Sequence, residues 1–159
     1  MIEILVNNRQ HKHPLDPQPL VRAARHVLEQ HGIRQGHINI GVLDDAEIQQ
    51  LNRQFLDHDY ATDVLSFLLQ RHEQELEGEI VVSAETAARQ AADYGWPYEH
   101  ELGLYVIHGA LHLAGFNDKQ DDDIRRMRQA EEEACDWMGF GMPPREAPSD
   151  NAGDGGDVS

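Results

Sequence analysis

Cysteine, lysine and aromatic side chains are scarce in this chain of 159 residues. The single cysteine, Cys135, cannot form a disulfide within the chain, and we expect it to pack inside a helix. No apolar run approaches the roughly 20 residues that a membrane-spanning helix needs. The N-terminus lacks the basic and apolar regions of a signal peptide. These absences predict a cytoplasmic protein without a membrane partner.

Positive charge is also in short supply. The chain has 13 lysines and arginines against 29 aspartates and glutamates, which gives a net charge of −16. Because non-specific binding to nucleic acid needs positive charge facing the phosphates, charge alone argues against a polyanionic partner. We expect no binding to DNA.

The remaining composition is that of a folded protein. Apolar residues make up 40% of the chain and charged residues 26%, which is typical of a globular domain. The length suits one domain. We assign that domain to residues 1–140. Residues 141–159 are rich in glycine, proline and acidic side chains, and we expect a disordered tail there.

Hydrophobic periodicity alternates between strand and helix along the chain. It predicts the element order β-α-β-α-β-β-α-α-α, and therefore an α+β domain with one small sheet. The run Val64–Leu69 is almost entirely apolar, which favours a buried strand. Three aspartates, at positions 121–123, precede the last helix, where we interpret them as favouring the positive end of the helix dipole rather than binding metal.

The segment from His108 to Asp118 carries the clearest chemical signal. His108 and His112 are four residues apart on a predicted helix, so both imidazoles project from one face and can share a metal. Gly115 allows the chain to turn back, and Asp118 follows six residues after His112 as a third ligand. A bare His-x3-His pair is often structural, but the glycine turn and third ligand favour a metal site of metzincin spacing.

Two metal chemistries fit this spacing less well. Zinc peptidases place a glutamate directly after the first histidine as general base, and this chain has Gly109 there. A peptidase is therefore disfavoured. Two histidines and a carboxylate also serve non-haem iron oxygenases, which remains a third and weaker alternative.

Three segments resemble the YbeY family of bacterial rRNA maturation factors and single-strand-specific endoribonucleases. The first matches the signature H-G-x-L-H-L-x-G-(Y/F)-D-H at His108, Gly109, Leu111, His112, Leu113, Gly115 and Phe116. The second matches D-x-x-T-(D/N)-V-L-S-F over residues 59–67. The third matches G-(D/E)-I-(V/I)-(I/V)-S over residues 78–83. The resemblance spans about residues 1–140. It implies a small mixed four-stranded sheet flanked by about five helices, with a metal site on a helix–turn segment in a cleft.

Departures from the family pattern concern charge. The third family ligand is histidine, and this chain has Asp118; the aspartate before it is Asn117. The family also has an arginine after the aromatic residue of the second helix, where this chain has Leu56. Arg53, one helical turn earlier, and His58, in the following loop, are our candidates for catalytic contacts with RNA.

The resemblance implies a zinc-dependent endoribonuclease with one zinc ion per chain, bound by His108, His112 and Asp118. It implies rRNA and the ribosome as partners, in small-subunit rRNA 3′-end maturation and ribosome quality control. The acidic surface predicts recruitment through a basic ribosomal protein. Because Leu56 replaces the arginine, a metal-stabilised ribosome-assembly factor with weak or no nuclease turnover is the alternative.

Overall fold

A computed structural model describes residues 1–56 and 63–144 of the chain. These ranges form four strands and five helices in the predicted order, which confirms an α+β domain. Their bounds are β1 Ile2–Asn8, α1 Pro17–Gln30, β2 Gln35–Leu43, α2 Asp45–Leu56, β3 Val64–His72, β4 Glu75–Ser83, α3 Ala84–Tyr94, α4 Tyr98–Leu113 and α5 Asp121–Met138.

One mixed sheet organises the domain, with its strands in the order β1-β2-β4-β3. β1 pairs with β2, and β2 with β4, in parallel, whereas β3 pairs with β4 antiparallel. The register places Ile4 beside Ile38 and Ile40 beside Ile80. These side chains point to the same face of the sheet and form the main core.

The two faces of the sheet are covered differently. α1 and α4 cover the face that holds the main core. α2 covers part of the other face through a small cluster of Leu43, Ile48, Leu65 and Val81. α3 and α5 pack against α4. Eleven of the 16 residues of α4 are buried, so this helix is enclosed by its neighbours and its side chains have fixed directions.

The prediction of a fully buried third strand is wrong in its second half. Val64 and Leu65 are buried, but Leu68 and Leu69 are 53% and 63% exposed. β4 lies between β2 and β3, which leaves β3 at the edge of the sheet. Exposure begins at Leu68, next to an irregularity in the pairing with β4 between Leu68 and Gln70.

The three aspartates lie at the start of the last helix, as the sequence predicts. Gln120 occupies the N-cap position, and all three aspartates fall in the first turn of α5. Asp122 pairs with Arg125 and Asp123 with Arg126 across one helical turn. Cys135 is buried in α5, as expected.

The chain beyond α5 still contacts the domain. Phe140 is buried, and Met142 packs against the core, so contacts continue to the predicted boundary at residue 140 and slightly past it. Most of the predicted tail, residues 145–159, lies outside the described residues. Across the described ranges, every helix is too short or too polar to cross a bilayer.

Candidate metal centre

The two histidines of the motif project together from α4. The His108 Nε2 and His112 Nε2 atoms are 3.0 Å apart, and the ring planes are inclined at 73°. The His108 side chain is 19% exposed and the His112 side chain 4%. The helical spacing of four residues thus gives the convergence that the sequence predicted.

The turn after α4 brings the carboxylate to these nitrogens. Gly115 lies in this turn with a φ of 111°, a conformation that side-chain-bearing residues rarely adopt. Asp118 then places its Oδ2 atom 3.9 Å from His112 Nε2. One ligand atom from each of His108, His112 and Asp118 lies within 4.8 Å of the other two. The structure therefore brings the three predicted ligands together.

Glu131 is a fourth participant that the motif did not identify. Its Oε2 atom lies 2.5 Å from His108 Nδ1, and its side chain is only 8% exposed. The sequence carries a weak signal for it. Glu131 is four residues after Met127 and three before Ala134, both of which are buried in α5. A charged residue at an inward-facing position needs a partner.

The carboxylates around His108 favour positive charge at this place. Burial lowers the pKa of His108, but the hydrogen bond and charge of Glu131, with the charges of Asp63 and Asp118, outweigh it and raise the pKa to about 9. Burial and the neighbouring His108 lower the pKa of His112 to about 4. The carboxylates around His108 therefore stabilise positive charge between them.

The donor set fits a divalent metal ion. Ligands of a tetrahedral zinc ion at ~2.0–2.2 Å stand about 3.3–3.6 Å from one another. The 3.0 Å between the two imidazole nitrogens and the 3.9 Å to Asp118 lie on either side of that separation. Three such donors would leave the fourth position of a tetrahedral ion open, as in catalytic zinc sites.

Gly109 faces the sheet and not the metal ligands. A Cβ atom at Gly109 would lie 2.7 Å from Ile80 Cγ2 and 3.0 Å from Ser66 Oγ. The Ser66 hydroxyl also donates a hydrogen bond of 3.1 Å to the Gly109 carbonyl oxygen. A glutamate has no space at this position, so the peptidase general base is excluded by packing as well as by residue type.

Of the two candidates for catalytic contacts, Arg53 and His58, the structure describes only the first. Arg53 is exposed on α2, which packs on the face of the sheet opposite α4. Arg53 stays a candidate for a contact with phosphate. His58 lies outside the described residues.

Comparisons with known proteins agree with the fold and the motif. The family model described as Endoribonuclease YbeY matches residues 5–139. The Endoribonuclease YbeY of Rhodopirellula baltica is 39% identical over 126 residues, which cover 78% of this chain and 65% of that relative. The one from Syntrophotalea carbinolica is 35% identical over 137 residues, covering 82% and 91%.

A solved structure extends the agreement to three dimensions. The solution structure of a protein from Thermotoga maritima is 29% identical, with a TM-score of 0.57 over 92% of this chain and 100% of that one. The signature around His108, the order of the elements and the sequence matches over most of the chain lead to the same conclusion: this chain belongs to the YbeY family of endoribonucleases.

Proposed function

We propose that this protein is a zinc-dependent, single-strand-specific endoribonuclease that matures the 3′ end of small-subunit rRNA and acts in ribosome quality control in the cytoplasm. One observation supports it above all. His108, His112 and Asp118 converge with their ligand atoms within 4.8 Å of one another, in a chain of an endoribonuclease family.

Each ligand has a distinct part in this proposal. His108 and His112 bind through Nε2 from a buried helix, which fixes their directions, and Asp118 closes the site from the turn. When bound, a divalent metal ion supplies Lewis acidity toward a phosphoryl oxygen and lowers the pKa of a water molecule. Single-stranded RNA suits such a site because its unstacked bases can be splayed out and contacted individually.

The negative charges at the site weaken its attraction for the phosphate of RNA. Asp118 is an anionic ligand, and Glu131 is a second carboxylate that contacts His108. Together they neutralise the two positive charges of a divalent ion, so its attraction for phosphate is weakened. Leu56 removes a further positive charge from the position where the family has arginine. Arg53 and His58 remain our candidates for the missing contact with phosphate.

The acidic surface bears on how RNA reaches the site. A chain with a net charge of −16 repels naked RNA at long range. We therefore propose that a basic ribosomal protein recruits it and holds the rRNA segment near the metal. Such delivery replaces the non-specific affinity that basic nucleases obtain from their own lysines.

The same charge deficit favours one alternative. A metal-stabilised ribosome-assembly factor with weak or no turnover would retain the three ligands and the fold without needing a cation near the phosphate. Leu56 and Asp118 are the residues that support it.

Cleavage of a labelled single-stranded RNA, beside a duplex of the same sequence, tests the proposal. We expect zinc-loaded protein to cut the single strand only, chelated protein to cut neither, and His112→Ala to be inactive. His37→Ala, at a surface histidine that pairs with Glu3, is the control and should retain activity. A zinc-loaded parent that binds the ribosome but never cuts RNA would establish the assembly-factor alternative.

A further inference from the structure

Glu131 is one of two buried glutamates among the described residues. Its neighbours on the inner face of α5 are Met127 and Ala134. Removing a carboxylate from water is strongly unfavourable unless a partner compensates. The partner is His108 Nδ1, at 2.5 Å. The contact with His108 therefore compensates the burial of Glu131.

The two nitrogens of His108 face different neighbours. Nδ1 faces Glu131, and Nε2 faces His112 Nε2 at 3.0 Å. An ionised carboxylate only accepts hydrogen bonds, so Nδ1 must carry the proton. A neutral imidazole with a protonated Nδ1 offers the lone pair of Nε2. The hydrogen bond thus selects the tautomer whose free nitrogen points at the other ligands.

We propose that Glu131 is a positioning residue, which fixes the ring orientation and tautomer of His108 so that Nε2 is presented as a metal ligand. This inference rests on the metal centre of the proposed function. Carboxylates in this place also make the imidazole a stronger ligand. Glu131 is not a ligand itself, because its carboxylate contacts the side of the ring opposite Nε2 and stands outside the group of three ligands.

A merely structural role is the competing explanation, since the contact also joins α4 to α5. The two roles predict different effects when Glu131 is replaced by glutamine or by methionine. A glutamine keeps an oxygen that accepts the Nδ1–H hydrogen bond but loses the charge, whereas a methionine fills the space and loses both. Positioning requires the acceptor, so glutamine should preserve more zinc affinity than methionine. Packing alone would favour the apolar side chain in this core.

The test measures zinc affinity of the full chain by competition with a chromophoric chelator. The proteins are the parent, Glu131→Gln, Glu131→Met and the control Glu132→Gln, which makes the same charge change at an exposed site one residue away. Loss of such outer carboxylates typically weakens metal binding ~10–100-fold. We expect Glu131→Met near the upper end of that range, Glu131→Gln near the lower end, and the control within about twofold of the parent.

Nitrogen-15 spectra of the histidine rings in the zinc-loaded proteins give an independent readout. In the parent, His108 should show a protonated Nδ1 and a metal-bound Nε2, and this pattern should weaken in Glu131→Met. Equal zinc affinity in the parent and both Glu131 variants, with an unchanged His108 signal, would overturn the positioning role alone.

Two further outcomes are decisive. A parent that binds no zinc would overturn the metal centre and, with it, the role of Glu131. If circular dichroism shows that Glu131→Met does not fold, Glu131→Gln decides: a loss of about tenfold supports positioning, and unchanged affinity contradicts it.

Discussion

At the scale of single residues, Gly109 shows how packing and chemistry constrain the same position. The helix that carries the ligands approaches the sheet so closely that a Cβ atom would contact Ile80. The identity of the residue alone was enough to predict that a peptidase general base is absent at this position. It could not supply the steric reason, because the partners Ser66 and Ile80 are distant in the chain.

Gly109→Ala tests this close approach. Alanine normally stabilises a helix relative to glycine by ~1 kcal/mol. Here we expect the opposite sign, a loss of about 1–3 kcal/mol from overpacking. The measurement is urea unfolding of the metal-free protein. Gly41→Ala is the control, because its Cβ would meet Val81 at an ordinary 4.0 Å. Equal stability of the two variants would show that the contact with Ile80 is easily relieved.

Asp118 and Leu56 permit a second test at this scale. Asp118→His replaces an anionic ligand by a neutral one, and Leu56→Arg adds a bidentate donor for phosphate. Each should raise the rate of RNA cleavage, and together they should exceed either alone. Well-placed donors change rates by ~10²–10³, so even an imperfectly aligned arginine should be detectable.

Single-turnover cleavage of a single-stranded RNA by the four proteins of this cycle is the measurement, with metal content determined for each. The competing explanation is that Arg53 already supplies the positive charge near the phosphate. A fully metallated double variant that cleaves no faster than the parent would mean that charge does not limit the site.

At the scale of elements, local periodicity predicted what each segment is but not where it lies. Apolar spacing and capping residues located every strand and helix in order. The position of each strand in the sheet depends on pairing between distant segments. The sequence therefore did not predict that the second half of β3 is exposed. Glu131 was missed for a related reason, since its partner His108 lies on another helix.

The start of α2 is anchored to α3 by a network around Asp45. Its Oδ1 atom accepts hydrogen bonds from the Ser83 hydroxyl at 2.5 Å and the Thr86 hydroxyl at 2.7 Å. Arg89 donates to Oδ2 at 2.7 Å. Burial raises the pKa of Asp45, but these hydrogen bonds and the arginine charge outweigh it, and the pKa lies below its usual value of 3.8.

Asp45→Asn therefore has a predictable pH dependence. A carboxylate with a lowered pKa in the folded state contributes stability above its unfolded pKa and loses it as the pH falls through the folded value. We expect a loss of about 1–2 kcal/mol at pH 7, discounted for partial exposure, which shrinks below pH 4. Urea unfolding at several pH values measures it. Asp93→Asn, on the exposed side of α3, should change little; a pH-independent difference would contradict the ionised network.

At the scale of the whole molecule, the proposed metal ligands connect several parts of the fold. His108 and His112 lie on the central helix, Asp118 on the following turn, and Glu131 links them to α5. A ligand that binds only the folded state stabilises it by mass action. Metal binding should therefore be visible as thermal stability of the whole domain.

Zinc at a free concentration of about 100 times its Kd should add ~2.7 kcal/mol. For a domain of this size we expect a rise in Tm of about 5–10 °C, at ~2–4 °C per kcal/mol. Thermal scans with a chelator and with restored zinc measure it. His112→Ala should melt at one temperature in both conditions; an equal rise in that variant would place the bound zinc elsewhere.

The central claim is that one metal ion, held by His108, His112 and Asp118, is what RNA cleavage depends on. The most direct measurement titrates zinc into metal-free full-length protein and follows the rate of cleavage of a single-stranded RNA. The account predicts a rate that rises with added zinc and levels off at about one equivalent per chain. Full activity in the metal-free protein, or an unchanged titration in His112→Ala, would contradict it.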